Sequence, residues 1–144
     1  EAALKARDEG LIRFIGVTGH NWTEVGKAVA TGLFDTVLCW YNCAMKEPEQ
    51  TVLPEAQKHR TGVVIMNASR NTKLFGGEGA PAREQFYRYV LDHPAVGLTI
   101  MGLREVEIFR QLAAALAGGL AISPEEKTRL EVYGAALRSA GKLD

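Results

Sequence analysis

Apolar residues in this 144-residue chain fall into short dense runs, separated by longer stretches where they recur every three or four positions. Residues 2–9 have helical composition, and Gly10 suits the position just past a helix end. "LIRFIGV" (11–17) is nearly continuous in apolar residues, the pattern of a parallel strand covered on both faces. Thr23 can cap a helix that ends at Gly32. "FDTVLCWYN" (34–42) predicts a second strand, residues 49–59 a helix after Pro48, and "GVVIMN" (62–67) a third strand. "ASRNTKLFGGEGAP" (68–81) has glycines and no periodicity, so it predicts a loop of the long class that is often functional or mobile. "AREQFYRYVLDHP" (82–94) predicts a helix, "VGLTIM" (96–101) a fourth strand, and residues 102–117 another helix. Ser123-Pro124-Glu125-Glu126 combines a capping box with proline at the first helical position, opening a last helix that runs to about Ser139.

The order is a helix, four strand-to-helix units and a closing helix. Strict alternation implies parallel strands joined by right-handed crossovers. The fold class is α/β, in one domain over residues 1–144. Four such units make either a small open sheet or half of a TIM (β/α)8 barrel, and the alternation does not choose between them.

Composition narrows the function. Hydrophobic residues are 47% and charged residues 24%, ordinary for a globular chain. Seventeen basic and seventeen acidic residues cancel and are spread along the chain; without a basic stripe, nucleic acid is not an expected partner. The apolar runs fall far short of the roughly 20 residues a membrane span needs. Cys39 and Cys43, with three scattered histidines, do not make a metal-ligand pattern. On a strand end only one of the two thiols need face the core. Two cysteines without a disulfide framework, and no signal peptide, predict a cytoplasmic protein. The chain opens without Met on a helix-like segment, which predicts either a trimmed chain or a piece of something longer.

"IGVTGHN" (15–21) holds the first candidate chemistry, because its apolar run stops in small and polar residues. Gly19 can ease a turn while Asn21 or Thr23 caps the next helix; the same residues can line a ligand site. Gly102, Leu103 and Arg104 sit at a predicted helix start, where backbone N–H groups favour an anion and an arginine adds a fork of donors. Arg104 can equally be a surface residue beside glutamates that suit the helix dipole.

Six segments, "EGLIRFIGVTGHN", "FDTVLCWYN", "VLPEAQKHRTGVVIMN", "RYVLDHPAV", "IMGLREVE" and "SPEE", occur in one order and at a spacing that resembles the C-terminal half of the aldo-keto reductases. The resemblance covers almost the whole chain. It implies that the four strands are the fifth to eighth of a (β/α)8 barrel whose family reduces carbonyls with NADPH. Sites in such barrels lie at the C-terminal strand ends. The resemblance further implies that Thr18 and His20 hold the nicotinamide carboxamide, with Gly19 keeping backbone bulk low. It also implies that Asn67 lies in the region that supports the nicotinamide, although the residue can equally close a turn at the strand end. By the same resemblance, Gly102, Leu103 and Arg104 sit where the family binds the 2′-phosphate, and Gln111 can partly substitute for the residue that meets the adenine.

Departures from the pattern are specific. Leu38 stands where many relatives place a glutamine on the carboxamide, Glu105 where a serine often helps hold the phosphate, and Leu112 where an asparagine commonly meets the adenine. The family's catalytic Asp, Tyr, Lys and His belong to the first four strands, to which nothing here corresponds; Tyr41 is at the wrong strand end for the family's acid. No catalytic residue is therefore assigned, and the isolated chain is expected to reduce nothing. Half a barrel also leaves two strand edges and an inner apolar face unpaired. The expected partner is a missing N-terminal half-barrel or a second copy of the chain as a homodimer, with a small carbonyl substrate once completed. The alternative is a free-standing, non-catalytic half-barrel that self-associates.

Overall fold

A computed structural model describes residues 1–102 and 105–143. Helix α1 (Ala2–Asp8) leads into strand β1 (Gly16–Thr18), followed by α2 (Trp22–Val29), β2 (Thr36–Trp40), α3 (Val52–His59), β3 (Gly62–Met66), α4 (Arg83–Leu91), β4 (Val96–Thr99), α5 (Val106–Ala117) and α6 (Pro124–Ser139). The strands form one parallel sheet in the order β1-β2-β3-β4, so each βα unit lies beside the next.

Hydrogen bonding trims the predicted elements. Of residues 11–17 only the last two join β1, because pairing with β2 begins at Gly16↔Thr36. Ile15 instead donates its N–H to the Asp35 carboxylate at 2.8 Å. Asn21, not Thr23, caps α2: its Oδ1 accepts from Glu24 N–H at 3.2 Å. The helix predicted over 49–59 is divided into a 3-10 turn (Glu47–Gln50) and α3. Helix α5 begins at Val106 instead of residue 102. The capping box of α6 forms as its residues dictate, Ser123 Oγ accepting from Glu126 N–H while Glu126 Oε2 accepts from Ser123 N–H.

Alternation along the strands sorts their side chains. Val37, Cys39, Val63 and Ile65 are fully buried against the helices. Leu38, Trp40, Val64 and Met66 point the other way and are only half-buried. The register Thr18↔Leu38, Leu38↔Val64 and Val64↔Leu98 runs one row across this second face, and Leu98 is 54% exposed. The continuous apolar runs predict two covered faces; the described helices cover one.

The covered face carries the core, sealed by α6. A Cβ on Gly134 would lie 2.8 Å from Ala44 N, so this helix can approach the turn after β2 only at a glycine. Arg138 fastens the same turn, donating to Ala44 O at 3.0 Å and to Glu47 at 2.6 Å. Beneath it the buried Tyr41 hydroxyl donates to Glu49 at 2.7 Å and Tyr89 to Glu131 at 2.9 Å, with Lys46 paired to Glu131. Burial raises both phenols well above their ordinary values. Cys39 and Cys43 are both buried, where one was expected, and burial pushes each thiol up to about 12. No helix among the described residues is long and apolar enough to cross a membrane.

Asn42 ties the strand ends together. Fully buried, it accepts at Oδ1 from Ala44 N–H (2.9 Å) and Met45 N–H (3.0 Å) and donates through Nδ2 to Asn67 O at 2.9 Å. Asn42→Ala is expected to lower the unfolding free energy by at least about 2 kcal/mol, because roughly 1–3 kcal/mol attaches to each polar group left buried without a partner. A urea midpoint measurement checks this.

His93 supplies a pH test. Burial holds its imidazole below the usual value and Lys127 adds to this, while Glu49 and Asp92 act in the opposite direction. The folded state resists protonation more than the unfolded chain does. This contribution to stability is therefore full above the unfolded value near 6.5 and is lost as pH falls toward the lower folded value. His93→Gln is expected to flatten that acid limb in denaturation midpoints taken between pH 7.5 and 5.5.

Candidate functional site

The C-terminal strand ends converge on one rim, and two groups of side chains gather there. Thr18 closes β1 with its hydroxyl donating to Leu38 O at 3.0 Å, which leaves the oxygen lone pairs for a ligand. His20 lies against Trp40, ring centroids 4.6 Å apart and planes tilted 35°. Trp22 donates its indole N–H to Trp40 O at 3.0 Å, so α2 helps fix the aromatic residue that His20 touches. From the far side of β2, the Arg70 guanidinium sits 4.8 Å over the Trp40 ring. Its Nε is buried with no hydrogen-bond partner. Asn67, just past β3, adopts φ 60°, and its carbonyl receives the Asn42 bond.

Gly19 answers a packing need. A Cβ there would lie 2.7 Å from Val25 Cγ2, so its small size admits α2 against the strand end. His20 also borders a hollow of about 590 Å³ with Asn21, Trp22, Thr23, Glu47, Gln50 and Thr51.

The second group lies where the loop after β3 faces the start of α5. A cleft of about 890 Å³ is lined by Asn71, Thr72, Phe75, Gly76, Arg83, Gly102, Glu105 and Ile108. Its loop wall is strained: Arg70, Asn71 and Thr72 take φ of 49°, 54° and 69°, a left-handed conformation costing such residues roughly 1–2 kcal/mol each. The buried Leu74 anchors this wall, Phe75 packs on Phe86, and Tyr133 donates to Gly76 O at 3.0 Å. The opposite wall is the N-terminus of α5, whose first-turn N–H groups receive no side-chain cap. Uncapped N–H groups and the helix dipole favour an anion.

Gly102 is thus in the cleft, and so is the departing residue Glu105. Leu103 and Arg104 lie outside the described residues. Gln111 is one turn or more along α5, in a smaller hollow of about 130 Å³ with Arg83, Glu84, Ile108 and Leu112. Its amide donates to Glu107 at 3.2 Å, within its own helix. Leu112 is buried in the core, and Tyr41, turned into the helix layer and bonded to Glu49, does not face the rim. Thr18 and His20 are absent from the lining of the cleft that holds Gly102; the structure gathers the predicted residues into two groups, not one.

Trp40, Arg70, Phe75 and Arg83 were invisible as site residues in the sequence. Trp40 reads as one more apolar strand position, and Arg70 sits within the apparently featureless 68–81 loop. Arg83 reads as a first-turn helix residue. The cluster Ser69-Arg70-Asn71-Thr72, polar and unsuited to a regular element, is the one local signal that could have pointed there.

No family model matches the chain, and no curated protein matches it. Among solved structures it is similar to the aldo-keto reductase AKR11C1 from Bacillus halodurans. Against the holo form the TM-score is 0.72 at 18% identity, covering 90% of this chain and 53% of that one. Against the apo form the TM-score is 0.73 at 17% identity, with 90% and 54% covered. The chain therefore spans about half the length of these structures. The fold, four parallel βα units, matches half of the (β/α)8 barrel of those structures.

Two glycine substitutions separate packing from binding. Gly19→Ala is expected to destabilise the fold by about 1–3 kcal/mol, the usual range for overpacking. Gly102→Ala is expected to leave stability unchanged, since a Cβ there meets nothing within 4 Å. Thermal unfolding of both variants checks the contrast.

Proposed function

We propose that these residues are the cofactor-binding half of an NADPH-dependent aldo-keto reductase acting on a small aldehyde or ketone in the cytoplasm. The cleft between the loop after β3 and the start of α5 carries the reading, on a fold that matches half of such an enzyme. The donor set fits a phosphorylated dinucleotide: Arg83, the polar side chains of Asn71 and Thr72, and the uncapped first turn of α5 face one cleft. Gly102, Leu103 and Arg104 are the residues proposed to hold the 2′-phosphate, with Gln111 toward the adenine.

A bound nicotinamide cofactor would supply a hydride to the carbonyl carbon. This chain's residues bind and orient. Thr18, whose proton is committed to Leu38 O, can only accept from the carboxamide amide group. His20 and Asn67 border the same end. The Tyr41 hydroxyl is not placed to deliver the proton: it is buried and bonded to Glu49, and burial raises it further. The proton donor and its partners are proposed to come from a half-barrel that closes on the open sheet face.

A second reading follows from that open face. Leu98 and Ile100 are 54% and 49% exposed, and β1 and β4 each offer an unpaired edge. Two copies could cover these surfaces as a homodimer without any catalysis.

Calorimetric titration of NADPH into the folded chain is expected to show saturable binding, weakened at least tenfold by Arg104→Ala, a difference of about 1.4 kcal/mol. A folded sample that takes up no heat overturns the cofactor reading. The same sample is expected to oxidise no NADPH with a simple aldehyde; measurable turnover would show that it carries its own acid. Sedimentation velocity discriminates the two readings of the open face. A dimer that forms without cofactor and binds none supports self-association, and a chain that binds cofactor as a monomer opposes it.

A further inference from the structure

His93 stands between α4 and β4, outside both groups of candidate site residues. The turn it opens is short. Val96 donates its N–H to His93 O at 2.9 Å, and Pro94, which has no N–H to place, fills the second position. The remaining amide is that of Ala95, and it donates to His93 Nδ1 at 3.2 Å. A side chain, not the backbone alone, thus holds the entry to β4.

The ring is approached from several elements. Tyr41 of β2 meets it edge-on, with centroids 6.0 Å apart and planes at 79°. Glu49 faces it from the 3-10 turn, Lys127 from α6 and Asp92 from its own turn, and Lys127 is itself paired to Asp92 at 3.1 Å. Burial disfavours the charged ring, and Lys127 adds to this; Glu49 and Asp92 act the other way.

The strand that this turn holds has few other attachments. Among the described residues β4 pairs with β3 alone, and its register shifts at Gly97, Val63↔Val96 being followed by Val64↔Leu98. The chain then continues through Ile100, whose N–H reaches Ile65 O at 2.9 Å, to Gly102 in the cleft wall. A neutral imidazole has one acceptor nitrogen and one donor, whereas the charged ring has two donors. Protonation at Nδ1 therefore sets N–H against N–H at Ala95 and ends that bond. Histidine is the side chain whose ordinary titration brings this exchange between about pH 5 and 8.

We infer that His93 is a pH-sensitive latch: its protonation frees Ala95 and loosens the edge strand β4 while β1, β2 and β3 stay paired. The inference depends on neither reading of the function above. The latched state is complete above the unfolded value near 6.5 and is lost as pH falls through the lower folded value. Because β4 leads into the cleft wall, the cleft loosens with it.

Amide hydrogen exchange, expressed as protection factors so that intrinsic exchange chemistry divides out, tests this residue by residue. From about pH 7.5 to about pH 5.5, protection of the β4 amides and of Ile100 is expected to fall about tenfold, the scale of one lost hydrogen bond, and that of the β2 amides less than about twofold. His93→Asn keeps an acceptor for the N–H two residues on but does not titrate, and is expected to hold β4 at both pH values. His93→Ala removes the acceptor and is expected to leave β4 as weakly protected at the higher pH as the wild type is at the lower. An acid loss that persists in His93→Asn, or one spread equally over all four strands, overturns the latch, as does a wild-type β4 whose protection does not change. Should the variants fail to fold, an NMR titration of the wild type decides. The Ala95 amide is expected to shift with the midpoint of the His93 ring, and an amide indifferent to that midpoint overturns the inference as well.

Discussion

The side chain of Asn42 fixes the relative position of the β2 and β3 strand ends on the rim that carries the strand-end group. Its carboxamide spends both donor and acceptor capacity inside the protein, closing the turn after β2 and holding the carbonyl of Asn67 at the end of β3. A buried amide is costly unless satisfied, so the two strand ends are locked in one relative position. Trp40, which ends β2, and Asn67, just past β3, both flank this lock. Helix α6 secures the same turn from outside through the Gly134 contact and the two Arg138 bonds.

Around that rim the structure is rigid on one side and open on the other. The buried phenols Tyr41 and Tyr89 reach half-exposed carboxylates beside α6: Tyr41 with Glu49, and Tyr89 with Glu131, which also pairs with Lys46. They hold the helix layer to the covered sheet face. The opposite face, with Leu38, Val64 and Leu98 in one row, gains nothing from the described helices. Apolar surface of this kind is unfavourable in water and favours whatever closes over it, whether the other half of a barrel or a second copy. The fold thus places its candidate binding groups along a rim that borders the open sheet face.

The candidate site itself shows a division of labour. The strand-end group, Thr18, His20, Trp40 and Arg70, is built from aromatic and cationic faces in contact. The cleft group combines strained backbone at 70–72, an uncapped helix N-terminus and a stacked arginine. Strain of this kind persists only where surrounding packing imposes it, and here Leu74, Phe75 and Tyr133 supply that packing. Among the described residues lining the cleft, Glu105 is the one that works against an anion.

The sequence by itself determined the elements and their order, because strand and helix periodicities, the Ser123 capping box and alternation of apolar faces are local properties. Parallel pairing followed from alternation, and the half-barrel from the ordered segments around "GVTGHN", "CWYN" and "MGLRE". For the site, the pattern marked only element boundaries at Thr18, His20 and Gly102, and the resemblance alone suggested a role for them; the structure puts Gly102 in the cleft and His20 against Trp40. Only the tertiary structure decided that Gly19 serves helix packing, that Asn42 joins two strand ends, that one sheet face lies open, and that Arg83 and Phe75 meet across from Glu105. These depend on residues distant in the chain arriving at one place, and no periodicity within a single segment encodes which side chains will face each other across a cleft.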